Sequence, residues 1–248
     1  MYLITMRPQQ IQDAVRRNLP ALFCAGSVEY HGPHLPVGTD FLIAESLLTE
    51  IEKKCECVVA PSIPFSSTMG WAGGPEEGDV DFDPDAFYVY AKAELKGLMN
   101  MGFRRIYVLQ FHQGADGLPC LTLKRAAAAC IREAAKNWGN GWGRKDPSRL
   151  PNPDVFSWIR VVSNLDEFSR YPDGDAERIS LGHGGKGETQ LVMARHEDTV
   201  RMEALHELEK LPQWLEDAWE ADRKEGEKWL AFCVEGWVRE LSGDIFNK

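Results

Sequence analysis

The chain has 248 residues, of which 44% are hydrophobic and 10% aromatic, a composition that sets it among globular proteins and excludes a disordered chain. Its net charge of −10 repels phosphate backbones and anionic lipid, so nucleic acid and membrane surfaces are excluded as default partners. No apolar run approaches the roughly 20 residues of a membrane span. Pro8, Gln9, Gln10 and Asp13 interrupt the stretch where a secretory signal would be apolar, so a cytoplasmic location is expected.

Ile11, Val15 and Leu19 recur at helical spacing and predict a first helix over 9–18. Residues 21–25, Ala-Leu-Phe-Cys-Ala, read as a buried strand. A helix over 41–53 and a short strand over 58–60, ended by Pro61, follow. A long loop over 66–85 then carries Gly70, Gly73, Gly74 and Gly78, with five acids over 76–83, Glu76, Glu77, Asp79, Asp81 and Asp83. Pro84 opens a helix over 85–101, and 105–111 is the clearest strand of the chain. An Ala-rich helix over 121–138, a Gly-, Pro- and Trp-rich loop over 137–153 and a strand over 158–163 come next. Residues 189–195 read as a helix. The tail over 202–240 reads as helical, with Leu205, Leu208, Leu211, Leu215 and Trp219 on one face, packed on the sheet or on a neighbouring subunit. Strands and helices alternating at this interval predict a parallel sheet covered by helices, in one domain over 1–248. Loops as long as 66–85 and 137–153 tend to be functional, and both are expected at the carboxyl ends of the strands.

The six cysteines (Cys24, Cys55, Cys57, Cys120, Cys130 and Cys233) fit a reducing compartment, and most read as small buried hydrophobes. Cys55 and Cys57 are the one close pair, and no second pair completes a zinc knuckle.

The densest chemical signal follows the first strand: Gly26-Ser-Val-Glu29-Tyr-His31-Gly-Pro-His34-Leu-Pro-Val-Gly-Thr-Asp40. Glu29 and His31 are two apart, so in an extended segment they point the same way. Asp40 stands at the mouth of the next helix, and the intervening glycines and prolines imply a sharply turned loop. Two carboxylates and an imidazole on one fixed loop suit zinc or manganese. The plainer reading makes Glu29 a solvated acid, His31 a loop histidine and Asp40 a helix cap. His112, after the strand over 105–111, and His183, in Gly182-His183-Gly-Gly-Lys-Gly-Glu188-Thr189, favour the metal. Four of the six histidines, His31, His34, His112 and His183, thus lie in Gly-rich loops after strands. His196 and His206 lie in charged helical contexts and read as surface residues. The plainer and lesser reading of Glu188 is a first-turn acid favoured by the helix dipole.

With these motifs the chain resembles the creatininase family, the creatinine amidohydrolases and their relatives. The loop from Gly26 to Asp40 is similar to the family signature, and His183 to Gln190 to a second one, in the same order across most of the chain. The resemblance implies a three-layer α/β fold with a mainly parallel sheet, frequently assembled as a hexamer. It also implies two divalent ions, zinc or manganese, with Glu29, His31, Asp40 and His112 as ligands, Asp40 bridging, and His183 as the acid/base group.

Three departures separate this chain from the family pattern. Gln110-Phe111-His112-Gln113-Gly114-Ala115 replaces the usual asparagine-rich context of the later histidine, Trp71 to Asp81 replaces a segment with its own histidine, and Gln190 replaces a serine. The expected activity is metal-dependent hydrolysis of a small, polar, cyclic substrate by activated water, at an amide C–N bond. The alternative is carbon–carbon cleavage of a cyclic inositol-derived diketone, with Gln113 and Lys186 binding hydroxyls. A silent metal-binding subunit and a metal-assisted isomerase are the readings from other classes. A family carboxylate two residues past His112 is Gly114 here, so a fifth ligand must come from elsewhere. Asp116 is one candidate, and its other reading is as a turn residue or cap. Glu188 is the better one, because Gly184, Gly185 and Gly187 let the backbone approach.

Overall fold

Alternation along the strands decides which helices cover which face. In a computed structural model, which describes residues 1–146, 154–171 and 181–243, four parallel strands form one sheet in the order β2-β1-β3-β4. They are β1 (Ala21–Ala25), β2 (Val58–Val59), β3 (Ile106–Gln110) and β4 (Ile159–Val162). β1 sits in register with β3 from Ala21 opposite Ile106 to Ala25 opposite Gln110. Side chains two apart share a face. Leu22 and Cys24 of β1 and Tyr107 and Leu109 of β3 therefore face α2 (Thr39–Lys54), α5 (Lys186–His196) and α6 (Arg223–Ser242). Phe23 and Ala25, with Ile106 and Val108, face α1 (Pro8–Arg16), α3 (Pro84–Met101) and α4 (Leu118–Ala135). Each fully buried Leu, Val or Phe on these faces stabilises the fold by about 1.5–3 kcal/mol. The result is the expected three-layer α/β/α arrangement.

Local signals set the ends of the helices. Asp83 caps α3 by accepting the backbone N–H of Asp85 and Ala86, both at 2.9 Å, and Gly102 ends it at φ +113°. α4 starts three residues earlier than expected, with Pro119 in its first turn, where a missing N–H costs nothing. Among the described residues no helix is long and apolar enough to cross a membrane.

Three expectations need correction. The tail is not one helix: turns over Met202–Glu207, Gln213–Leu215 and Ala218–Glu220 precede α6, and Pro212 interrupts the helical pattern. Leu205, Leu215 and Ala218 form a small buried cluster, while Trp219 is exposed and lies against His206. The segment after α4 leads into the amino end of β4, so it lies at the edge of the sheet opposite the strand carboxyl ends. Trp138 and Trp142 pack there against Trp158 and Phe156, and residues 147–153 of that loop lie outside the described residues. His196 is not a free surface residue, since its Nε2 meets Ser46 Oγ at 3.0 Å and ties α5 to α2.

Candidate metal centre

The strand order reverses between β1 and β3, and the crevice at their carboxyl ends is where open α/β sheets hold ligands. The loop after β1 delivers Glu29 and His31, and the first turn of α2 delivers Asp40. His112 comes from the loop after β3, and the turn into α5 supplies His183 and Glu188. All six except His183 are buried.

Their ligand atoms converge in two overlapping groups. Glu29, Asp40 and His112 form the first: His112 Nδ1 lies 2.9 Å from Glu29 Oε1 and 3.1 Å from Asp40 Oδ2. His31, Asp40 and Glu188 form the second: His31 Nε2 lies 3.3 Å from Asp40 Oδ1 and 3.5 Å from Glu188 Oε2. Asp40 thus gives one oxygen to each group. Glu29 Oε1, at 3.8 Å, also faces His31 Nε2. A third grouping, Glu29, His31 and His183, overlaps both, and among the described residues the clusters able to hold an ion all fall in this one centre. Cys55 and Cys57 are not part of any of them.

The residues fit a divalent cation. A backbone carbonyl only accepts, so the 3.1 Å contact between His31 Nδ1 and Glu29 O puts the proton of a neutral ring on Nδ1 and leaves the Nε2 lone pair facing carboxylates. His31 Nε2 and Glu29 Oε1 are buried without a hydrogen-bond partner. Donors about 2.1 Å from one ion stand roughly 3.0–3.4 Å apart in octahedral or tetrahedral geometry, which matches the separations here. The same crowding shifts the titrations. Against the opposing effect of burial, Asp40, Glu188 and Glu29 raise His31 to a pKa of about 10, and Asp40 and Glu29 raise His112 to about 9. Burial raises Glu188 to about 8. Asp40, despite its burial, is held well below the usual carboxylate range by His31 and His112.

Neighbouring groups fix these side chains. Ser27 Oγ–H donates to Asp40 Oδ2, and the Gly184 N–H donates to Glu188 Oε2 at 2.6 Å. The Gln110 side chain donates to the carbonyl of His112. His34 is buried and supports the turn rather than the ions, with Nε2 3.0 Å from Thr189 Oγ1. His183 Nε2 meets the Tyr30 carbonyl at 2.8 Å, so this nitrogen carries the proton and Nδ1 turns towards Glu29, 3.8 Å away. The ring stacks on His31 at 4.2 Å and meets the edges of Trp71 and Trp214. Burial and the nearby His31 lower its pKa to about 4.

A cavity of about 370 Å³ opens over the centre. Glu29, Asp40, His112, His183 and Glu188 line it together with Met69, Trp71, Phe111, Gln113 and Ser163. Gln113 reaches the cavity, but its amide donates to the Thr68 carbonyl at 3.2 Å. Lys186 is directed elsewhere: its ammonium pairs with Glu220 at 3.3 Å on the surface, and it is not among the lining residues. Asp116 is exposed and likewise not part of the lining. Sequence reasoning missed Met69, Phe111, Ser163 and Trp214. For Phe111 and Ser163, their place just past the strand ends was a usable signal, whereas Trp214 carried none.

Comparisons with known proteins agree with the fold. The family model Creatininase, creatinine amidohydrolase, matches residues 5–241. A 3-dehydro-scyllo-inosose hydrolase of Thermotoga maritima is 29% identical over 249 residues, covering all of this chain and 67% of that protein. The solved structure "Creatininase Mn" superposes with a TM-score of 0.72 at 18% identity, over 96% of this chain and 97% of that one. "Crystal structure of creatinine amidohydrolase (creatininase)" does so with a TM-score of 0.73 at 18% identity, over 98% of each. A match spanning nearly the whole chain, on a fold shared with solved creatininases, makes this protein a member of the creatininase family of hydrolases.

Proposed function

We propose that the protein is a hydrolase dependent on two divalent ions, zinc or manganese, that acts in one domain on a small, polar, cyclic substrate. The observation that carries this reading is the shared Asp40, with one oxygen in each ligand group. Glu29 and His112 would hold one ion with Asp40, and His31 and Glu188 the other. Bound ions supply Lewis acidity that polarises a carbonyl and activates water near neutral pH.

The chain's own residues do the rest. The Tyr30 carbonyl keeps the His183 proton on Nε2, so Nδ1 faces the centre as an acceptor. His183 therefore takes a proton at Nδ1 from the attacking water first and then returns it to the leaving atom, rather than beginning as an acid. Met69, Trp71 and Phe111 give the cavity an apolar wall, while Ser163 offers a hydroxyl to a polar substrate.

Two bonds suit this machinery. An amide C–N bond is the family reading. Carbon–carbon cleavage of a cyclic diketone is supported by the inosose hydrolase relative, which is similar over this whole chain, and by Gly114 in place of a family carboxylate. Among the described residues the cavity lining includes no Lys or Arg. The test is turnover of creatinine against 3-dehydro-scyllo-inosose in labelled water, with and without chelator. Label in the product and loss of activity on chelation support hydrolysis at a metal centre. Turnover without incorporated label would make the protein an isomerase, and full activity after metal removal would overturn the reading. The family resemblance also supports a homo-oligomer, a hexamer in its usual form, which light scattering reads directly.

A further inference from the structure

The acids of the loop between β2 and α3 play no part in the reading above, yet they grip the site from behind. Asp79 is buried, and its Oδ1 accepts the backbone N–H of Tyr30 at 2.5 Å. Tyr30 is the residue between Glu29 and His31, and its carbonyl is the acceptor for His183 Nε2–H. One residue is thus held at both backbone polar groups, by the loop on one side and by His183 on the other. The loop is seated closely here. Val80 N–H donates to Val28 O at 2.9 Å, and a Cβ on Gly73 would stand 2.7 Å from Tyr30 Cβ. Asp81, two residues on, serves a different part of the site: its Oδ1 accepts the N–H groups of Thr68 and Met69, at 2.9 and 3.1 Å. Glu77 and Asp83 also accept backbone N–H groups, within the loop and at the start of α3.

We propose that Asp79 is a positioning residue: by holding Tyr30 it fixes the spacing of Glu29 and His31 and keeps the proton of His183 on Nε2. The physical reason is that a backbone carbonyl selects a histidine tautomer only if it stays in place. The ring of residue 30 adds an edge-on contact with Trp214 at 6.3 Å. A displacement of about 1 Å at such a group is enough to cost roughly a hundredfold in rate. The inference rests on the proposed function only in giving His183 its role in proton transfer, so the test reads the histidine ring and not turnover.

The experiment is ¹⁵N NMR of the histidine rings in the full-length protein, with the His183 signals assigned from their loss in His183→Ala. Wild type is expected to show Nε2 in the range of a protonated nitrogen. Asp79→Leu, which keeps the shape and removes the acceptor, should move Nε2 towards the unprotonated range as the Nδ1–H tautomer appears. Asp79→Asn should restore the wild-type shifts, because the contact needs only an acceptor oxygen. Asp81→Ala, in the same loop but without contact to Tyr30, should leave the His183 shifts in place. Unchanged shifts in Asp79→Leu, or the same change in Asp81→Ala, overturn the proposal. If Asp79→Leu does not fold, Asp79→Asn decides, since failure to recover both the fold and the Nε2–H tautomer overturns it. A shifted tautomer in Asp79→Leu together with full turnover by His183→Ala would sink the proposed role of His183 and leave this inference standing.

Discussion

Gly184 lies so close to His31 that a Cβ added to it would stand 2.5 Å from the His31 carbonyl oxygen. Its φ of +64° is also one that side chains rarely adopt. The turn carrying His183 and Glu188 can therefore approach the first ligand loop only with glycine here. Gly184→Ala is expected to push the turn away and lower both metal content and activity. Metal analysis of the purified variant checks this, and full metal occupancy would show that the turn adapts.

Asp40→Ala should lose most of both ions, because the carboxylate belongs to both ligand groups. Elemental analysis after gel filtration gives the answer. Retention of a full complement of ions would mean that the two groups do not share a ligand.

His183→Ala should keep its ions and lose roughly two to four orders of magnitude in rate, the usual scale of an acid/base group. Loss of metal in step with activity would instead make His183 a ligand. The grouping of His183 with Glu29 and His31 is what makes that outcome worth measuring.

Glu188→Gln should lower metal affinity and activity together, since its Oε2 faces His31 Nε2. Asp116→Asn should keep the metal, with at most about 1 kcal/mol lost from turn chemistry on the surface. Titration of both variants with zinc or manganese compares them directly, and the reverse pattern would move the ligand to Asp116.

Glu94 of α3 offers a pH prediction away from the centre. Both of its carboxylate oxygens are buried without a hydrogen-bond partner, and burial raises its pKa from 4.5 to about 7. The folded state then holds the proton more tightly than the unfolded chain. Its contribution is fully present below about pH 4.5, falls as the pH rises to about 7, and stays lost above that. The loss amounts to roughly 2–3 kcal/mol, at 1.36 kcal/mol per unit and with some relief from partial exposure. Glu94→Gln should remove this slope and be more stable than wild type at pH 8 and not at pH 4.5. Urea unfolding at the two pH values measures the difference.

The sheet and the residues that gather at the candidate centre were largely legible in the sequence, for different reasons. β1 and β3 are short, continuous apolar runs of the kind a doubly covered strand requires, and their limits are close to those expected. Glu29, His31 and His112 stand in turns that follow strands, and Asp40, His183 and Glu188 stand at or just before the first turn of a helix, so chemistry and position coincided. Contacts made across the chain were not legible. Trp214 reaches His183 from a turn that reads as helix, because Pro212 redirects a segment whose leucines keep helical spacing. Lys186 lies within a site motif, yet its ammonium reaches Glu220, 34 residues on, and turns away from the cavity. The placement of 137–146, the described part of that loop, failed for a topological reason: a loop that follows a helix in a parallel sheet returns to the amino edge.

The order β2-β1-β3-β4 brings together ligands that are remote in sequence, so no local fragment of the chain can assemble the whole set. Bound at the proposed centre, divalent ions would be a mass-action ligand of the native state, and a free concentration a hundred times Kd would add about 2.7 kcal/mol to its stability. The melting temperature should accordingly rise with the logarithm of metal concentration, which makes thermal denaturation a substrate-free measure of affinity. Under metal limitation the unfolded population would grow, and with it exposure to proteolysis, so the cellular abundance of the protein would follow its metal supply.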